Sequence, residues 1–167
     1  SENQEWFELY NTTDSDIDLS GWIVADNDDD WHQINPNAPL IIPAHGYLTL
    51  GESTNAILNG DARIDYAYGT DITLGNSGDE MILLYNKTVI HSVGYGNYNS
   101  IGFPIITDAG PPADEGHASG MAVDYSSGPV DVWLPQITLY GTTLNTGTPG
   151  MDNDGFTLGF EDTIPTN

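Results

Sequence analysis

The residues of this chain best suited to chemistry are carboxylates, and they come in clusters. Asp26-Asn-Asp28-Asp29-Asp30 places four of them within five positions. That suits a hard divalent cation, because calcium takes about 6–8 oxygen ligands and adjacent carboxylates on one loop supply several. Asp152-Asn-Asp154-Gly155 opens like a calcium loop of the EF-hand kind, but Thr163 stands where the closing Glu belongs, so that pattern fails. Asp14-x-Asp16-x-Asp18 aligns three carboxylates if the segment is extended. For each cluster the plain alternative is a solvated acidic loop, and both readings stand. No cofactor is required on this evidence; calcium enters as an expected stabiliser.

Other chemistry finds less support. His32, His45, His91 and His117 are scattered, with no H-x-x-x-H or H-E-x-x-H spacing for zinc. Serines sit in Ser-Gly turns (Ser20, Ser77, Ser119, Ser127) without a G-x-S-x-G elbow. Carboxylates are so numerous that two lying close together would not by themselves signal glycoside hydrolysis. Tyr95 and Tyr98, with Tyr66, Tyr68 and Phe103, fall in loop-like stretches beside Gly and Asn. Such rings serve either as a stacking platform for sugars or as packing at the rim of the fold. Asn11-Thr-Thr13 and Asn86-Lys-Thr88 match the glycan acceptor pattern.

Charge narrows the partners. Against 25 Asp and Glu stand only Arg63 and Lys87, a formal net charge of -23 over 167 residues. Affinity for nucleic acid comes mainly from Lys and Arg displacing counterions, so nucleic-acid binding is set aside. Anionic membrane surfaces are disfavoured for the same reason. The excess suits divalent cations, saline surroundings or simple solubility. No apolar stretch is long enough to span a bilayer, and no leader-like segment opens the chain. Cysteine is absent.

These residues need a scaffold, and the punctuation of the sequence points to strands. Trp6, Glu8 and Tyr10 alternate with Phe7 and Leu9, the two-residue period of a strand. Asn11 to Asp16 is turn-forming, and Trp22–Asp26 continues a second strand. Trp31–Ile34 is a candidate short strand, and Leu40–Leu50 reads as strand, turn and strand. Residues 52–60 have room for one helical turn. Glu80–Tyr85, Asn86-Lys87 and Thr88–Val93 form the clearest hairpin. Gly94–Pro112 reads as a long loop, with short strands expected at Ala122–Tyr125 and Val130–Leu134. Short strands separated by turns imply an all-β sandwich or barrel in one domain.

Taken in order, seven segments resemble the lamin tail domain family. They are Glu5–Asn11, Asp18–Trp22, Ile42–Leu50, Asn76–Leu84, Val89–Gly96, Ser119–Asp124 and Gly147–Asn153. The resemblance implies an immunoglobulin-like β-sandwich over residues 1–153 and a non-catalytic role. For a member of bacterial or archaeal type it also implies an extracellular or cell-surface setting, as an accessory module of secreted or surface proteins.

Two departures from the family pattern belong together. Family members usually carry another strand before the Glu5–Asn11 run, and here only Ser1–Gln4 precede it. Beyond the pattern, residues 154–167 include Phe156, Leu158 and Phe160 alternating with Thr157 and Gly159, an extra strand at the opposite end. That strand either packs in its own molecule or enters a neighbour and links copies into oligomers or filaments. The first functional reading is therefore a structural or interaction module, joining itself or other surface proteins. The alternative is an accessory carbohydrate- or surface-binding domain of a secreted hydrolase. The third, an autonomous hydrolase using an Asp pair, has no identifiable nucleophile and base.

Overall fold

Among the described residues, alternation in the sequence becomes two main sheets and two small ones. The computed structural model describes residues 5–98, 108–109, 119–121, 133–135, 137–139 and 146–151. Its strands are β1 (Trp6–Tyr10), β2 (Ile17–Asp18), β3 (Ile23–Ala25), β4 (Trp31–Gln33), β5 (Ile41–Ile42) and β6 (Tyr47–Gly51). They continue with β7 (Tyr66–Ala67), β8 (Gly78–Tyr85), β9 (Thr88–Gly96), β10 (Asp108–Ala109), β11 (Ser119–Met121) and β12 (Trp133–Pro135). One sheet has the order β1-β6-β7 and the other β10-β9-β8-β3-β4, while β2 pairs β5 and β11 pairs β12. No described helix is long and apolar enough to cross a membrane.

Residues from both main sheets and the segments between them make one core. Val24 of β3, Leu48 and Leu50 of β6, and Ile42 of β5 pack with Leu19, Trp22, Ile34, Tyr68 and Ile72. Phe7 and Leu9 of β1 pack against this cluster, so of the two faces that alternation separates, theirs is the inner one. Each such aliphatic side chain contributes about 1.5–3 kcal/mol when fully buried, and Leu50 and Ile34 are fully buried.

The hairpin forms where expected. β8 and β9 pair antiparallel through Tyr85↔Thr88, with an irregularity between Leu83 and Leu84. Asn86 (φ 48°) and Lys87 (φ 65°) both adopt the left-handed conformation, which matches the twist of the flanking strands. The helical turn expected within residues 52–60 is a 3-10 turn at Ala56–Asn59. Asn55 caps its start through Ile57 N–H, and Gly60 closes it at φ 62°.

Two expectations need revision, and a third lies partly outside the described residues. The loop expected from Gly94 begins later, because ladder pairing carries β9 to Gly96, and β10 returns parallel to it through Asp108↔Val93. Of the tyrosines expected in loop-like stretches, Tyr66 lies on β7 and Tyr95 on β9, while Tyr68, just past β7, is core, stacked on Phe7 at 5.9 Å between ring centroids. The strand expected to start at Val130 is described only for Trp133–Pro135, and Ala122–Tyr125 lie outside the described residues.

Candidate functional site: an acidic cradle

At the open end of the β8–β9 hairpin, three successive backbone amides each meet a different carboxylate. Thr73 N–H donates to Asp30 Oδ2 at 2.6 Å, Leu74 N–H to Glu5 Oε2 at 2.8 Å, and Gly75 N–H to Asp79 Oδ2 at 2.7 Å. The three acids come from three segments: the loop before β4, the entry to β1, and β8. Asp26 closes its own loop by accepting from Asp28 N–H at 2.8 Å and Asp30 N–H at 3.1 Å. Tyr95 donates its hydroxyl to Gly75 O at 2.9 Å. Gly78, at φ 148°, lets the chain turn back here, since a Cβ would lie 2.1 Å from Asn97 N.

The result is a cleft of about 360 Å³ lined by Asp26, Asp28, Asp29, Asp30, Asp79 and Glu80, among others. Burial pushes the Glu5, Asp26 and Asp79 carboxyls above their ordinary range. The amide bonds oppose that shift without overcoming it, and repulsion from Asp30 adds to it in all three cases. Chemically, the cradle accepts hydrogen bonds and attracts positive charge. Among the described residues, however, no three His, Cys, Asp or Glu side chains converge as a group able to hold a metal ion.

A second constellation joins the two main sheets. His32 of β4 lies 2.8 Å from Asp71 through Nδ1 and 2.8 Å from the Tyr66 hydroxyl through Nε2, and that hydroxyl accepts Asn35 N–H at 3.1 Å. One tautomer satisfies every group: Asn35 N–H to Tyr66 O, Tyr66 O–H to Nε2, and Nδ1–H to Asp71. Carboxylate, imidazole and hydroxyl stand in the order of a hydrolytic triad. Here the hydroxyl is a phenol that already accepts an amide proton, and the arrangement works as a latch between sheet edges.

A third cluster surrounds Asn11, which is 3 % exposed. Its Nδ2 donates to the carbonyls of Ser15 (2.8 Å), Ile42 (3.2 Å) and Pro43 (2.9 Å), and its Oδ1 accepts from Thr13 N–H and Oγ1. Outside this knot, Asp16 accepts Ala44 N–H at 2.9 Å and Asp14 meets His45 at 2.7 Å. Asp18 accepts from the Ser20 hydroxyl and amide, which lowers its pKa.

The sequence candidates therefore fall out unevenly. Asp26, Asp28, Asp29 and Asp30 come together in the cleft. Asp152, Asp154, Phe156, Leu158 and Phe160 lie outside the described residues. Tyr95 and Tyr98 are half-buried: Tyr95 turns its hydroxyl to Gly75, and the Tyr98 ring lies so close over Gly94 that a Cβ there would come within 2.3 Å. Asn86 is exposed on its turn, whereas a glycan on Asn11 would have to displace the bonds of the knot. Glu5, Asp71 and Asp79 were missed. Only Asp79, ending the turn Gly75-Asn-Ser-Gly, carried a local signal, because the partners of the other two are distant in sequence.

A family model described as Lamin Tail Domain matches residues 1–97, more than half of the chain. The chain belongs to the lamin tail domain family. The match spans β1 to β9, the segment that builds the cradle, the latch and the Asn11 knot. It stops well short of residue 153, to which the motif resemblance extends. No curated protein matches the chain, and no solved structure does. The lamin tail domain is an immunoglobulin-like β-sandwich, non-enzymatic as a family, and its role is that of an interaction module.

Proposed function

We propose that this lamin tail domain is a non-catalytic structural and interaction module that works outside the cell or at its surface and joins copies of itself or other surface proteins. Residues 1–153 form its body, and the alternating stretch with Phe156, Leu158 and Phe160 is the strand given to a neighbour. Calcium stabilises the body by offsetting charge at the cradle and is not a required cofactor.

The supporting observation is how the polar side chains are engaged. Glu5, Asp26, Asp30, Asp79, His32 and Asn11 hold loops and sheet edges through bonds to backbone or to one another. Such side chains build a scaffold, and a scaffold serves by its surface. The accessory sugar-binding alternative draws less support, because both of its tyrosines are half-buried, Tyr95 bonded to Gly75 and Tyr98 lying over Gly94.

Sizing and negative-stain microscopy of the full chain and of residues 1–153, with and without millimolar calcium, test the reading. Concentration-dependent oligomers or filaments are expected from the full chain only, together with a calcium-dependent rise in Tm at constant ionic strength, since a solute that binds only the folded state raises stability. Monomers from both chains at every concentration would end the self-assembly reading, and an unchanged Tm would end the role of calcium.

A further inference from the structure

Glu8 stands on β1 opposite Thr49 of β6, and its Oε2 accepts the backbone N–H of Gly150. The two residues are 142 positions apart, so this contact ties the first strand to the segment leading to the C-terminus. That segment is braced locally: Gly147 N–H donates to Thr138 O at 2.8 Å, Met151 N–H donates to Thr148 O at 3.0 Å, and Thr148 is buried. No side chain from residue 146 to 151 titrates. The charged neighbour is Asp65, between β6 and β7, which accepts Thr49 N–H at 3.1 Å and holds Arg63 at 2.8 Å.

We propose that Glu8 and Gly150 form a proton-operated clasp: the neutral carboxyl keeps the C-terminal segment on β1, and the ionised carboxylate lets it go. The clasp itself lies within one chain. Its use rests on the strand-exchange reading above, because an arm must leave its own body before it can join another.

The balance of terms gives the direction. Removing a carboxylate from water disfavours its charged form, and Asp65 repels that form further. The Gly150 N–H favours the charged form but does not offset these effects, and Glu8 is pushed up to about 7. In the proposed clasp the segment itself shields the carboxyl, so release exposes it to water and returns it toward 4.5. The closed state thus binds the proton more tightly than the open one. Closure is strongest below pH 4.5 and weakens as pH rises through about 7. The closed-to-open ratio falls by at most a few hundredfold in total, on the order of ten per pKa unit of difference.

NMR of the full chain over pH 5 to 8.5, following the Gly150 and Met151 amides, tests the clasp. Both resonances are expected to move with one inflection near pH 7. Hydrogen-exchange protection of Met151, corrected for intrinsic exchange, is expected to fall at least tenfold. Glu8→Gln keeps an acceptor for Gly150 but cannot titrate, so its curves are expected to be flat and protected throughout. A flat wild-type Gly150 curve, or the same inflection in Glu8→Gln, overturns the clasp. Sizing reads exchange separately. A chain whose Gly150 titrates but which stays monomeric keeps the clasp and loses strand exchange, while an assembling chain with a flat Gly150 curve does the reverse.

Discussion

Around Asn11 a loop is fastened by one neutral amide; around Thr73–Gly75 a loop is fastened by three carboxylates. The amide carries two N–H donors and an acceptor, so it reaches three carbonyls, sharing one proton between two of them, and the Thr13 amide without bringing charge into the protein. Carboxylates only accept. In the cradle each of the three amides meets a different acid, and those acids repel one another. With Arg63 held by Asp65 and Lys87 at a hairpin tip, neither the one Arg nor the one Lys of the chain stands beside them. The same mechanical task thus has two chemistries, one indifferent to pH and salt and one governed by them.

The largest expected effect comes from forcing the first chemistry to resemble the second. Asn11→Asp replaces a nitrogen that donates to three carbonyls with an oxygen that repels them. Denaturant unfolding at pH 7.5 is expected to show a loss of about 3–5 kcal/mol, from several buried groups left unsatisfied. Part should return at pH 5, where a protonated Asp regains one donor. A loss under about 1 kcal/mol would mean that the knot does not hold the loop.

Next comes the pH profile of the unaltered chain. Glu5, Glu8, Asp26 and Asp79 are all raised by burial in the folded state. An acid raised on folding stabilises the fold fully below its unfolded value, and that stability is lost as pH rises through the folded value. Stability should therefore increase from pH 8 down to about pH 5, with Glu8 contributing at most about 3 kcal/mol of the change. Asp18 is lowered, so its contribution runs the other way and fades only under stronger acid. Thermal unfolding across this range checks the sign, and a flat or falling profile toward pH 5 contradicts it.

The contrast also explains what could be read from the sequence. Hairpin β8–β9, the two alternating faces of β1 and the tight Asn86-Lys87 turn were legible because period and turn chemistry are local. Half of the cradle was legible too, since Asp26 to Asp30 are neighbours in the chain. The other half was not: Glu5 meets Leu74 across 69 positions, and nothing near Glu5 announces that partner. Asn11 shows the same limit, because its acceptor pattern is local while its carbonyl partners at 42 and 43 are not. Tyr68 likewise looked loop-like from its Gly and Tyr neighbours and proved to be core.

The smallest expected effects sharpen the comparison within the cradle. Glu5 accepts one amide through Oε2, so Glu5→Gln can keep that bond and remove the charge. Its expected effect at pH 8 is a gain of about 0.5–1 kcal/mol, discounted for solvent screening, with little change at pH 5. Asp79 differs, since Oδ2 accepts Gly75 N–H and Oδ1 accepts Glu80 N–H. Asp79→Asn must turn an NH2 group toward one of those donors, and it is expected to destabilise at both pH values although it removes the same charge. Thermal unfolding of the two variants at pH 8 and pH 5 decides whether charge or acceptor count controls the cradle. Opposite signs at pH 8 would show that both act, and two gains of equal size would leave charge as the sole term.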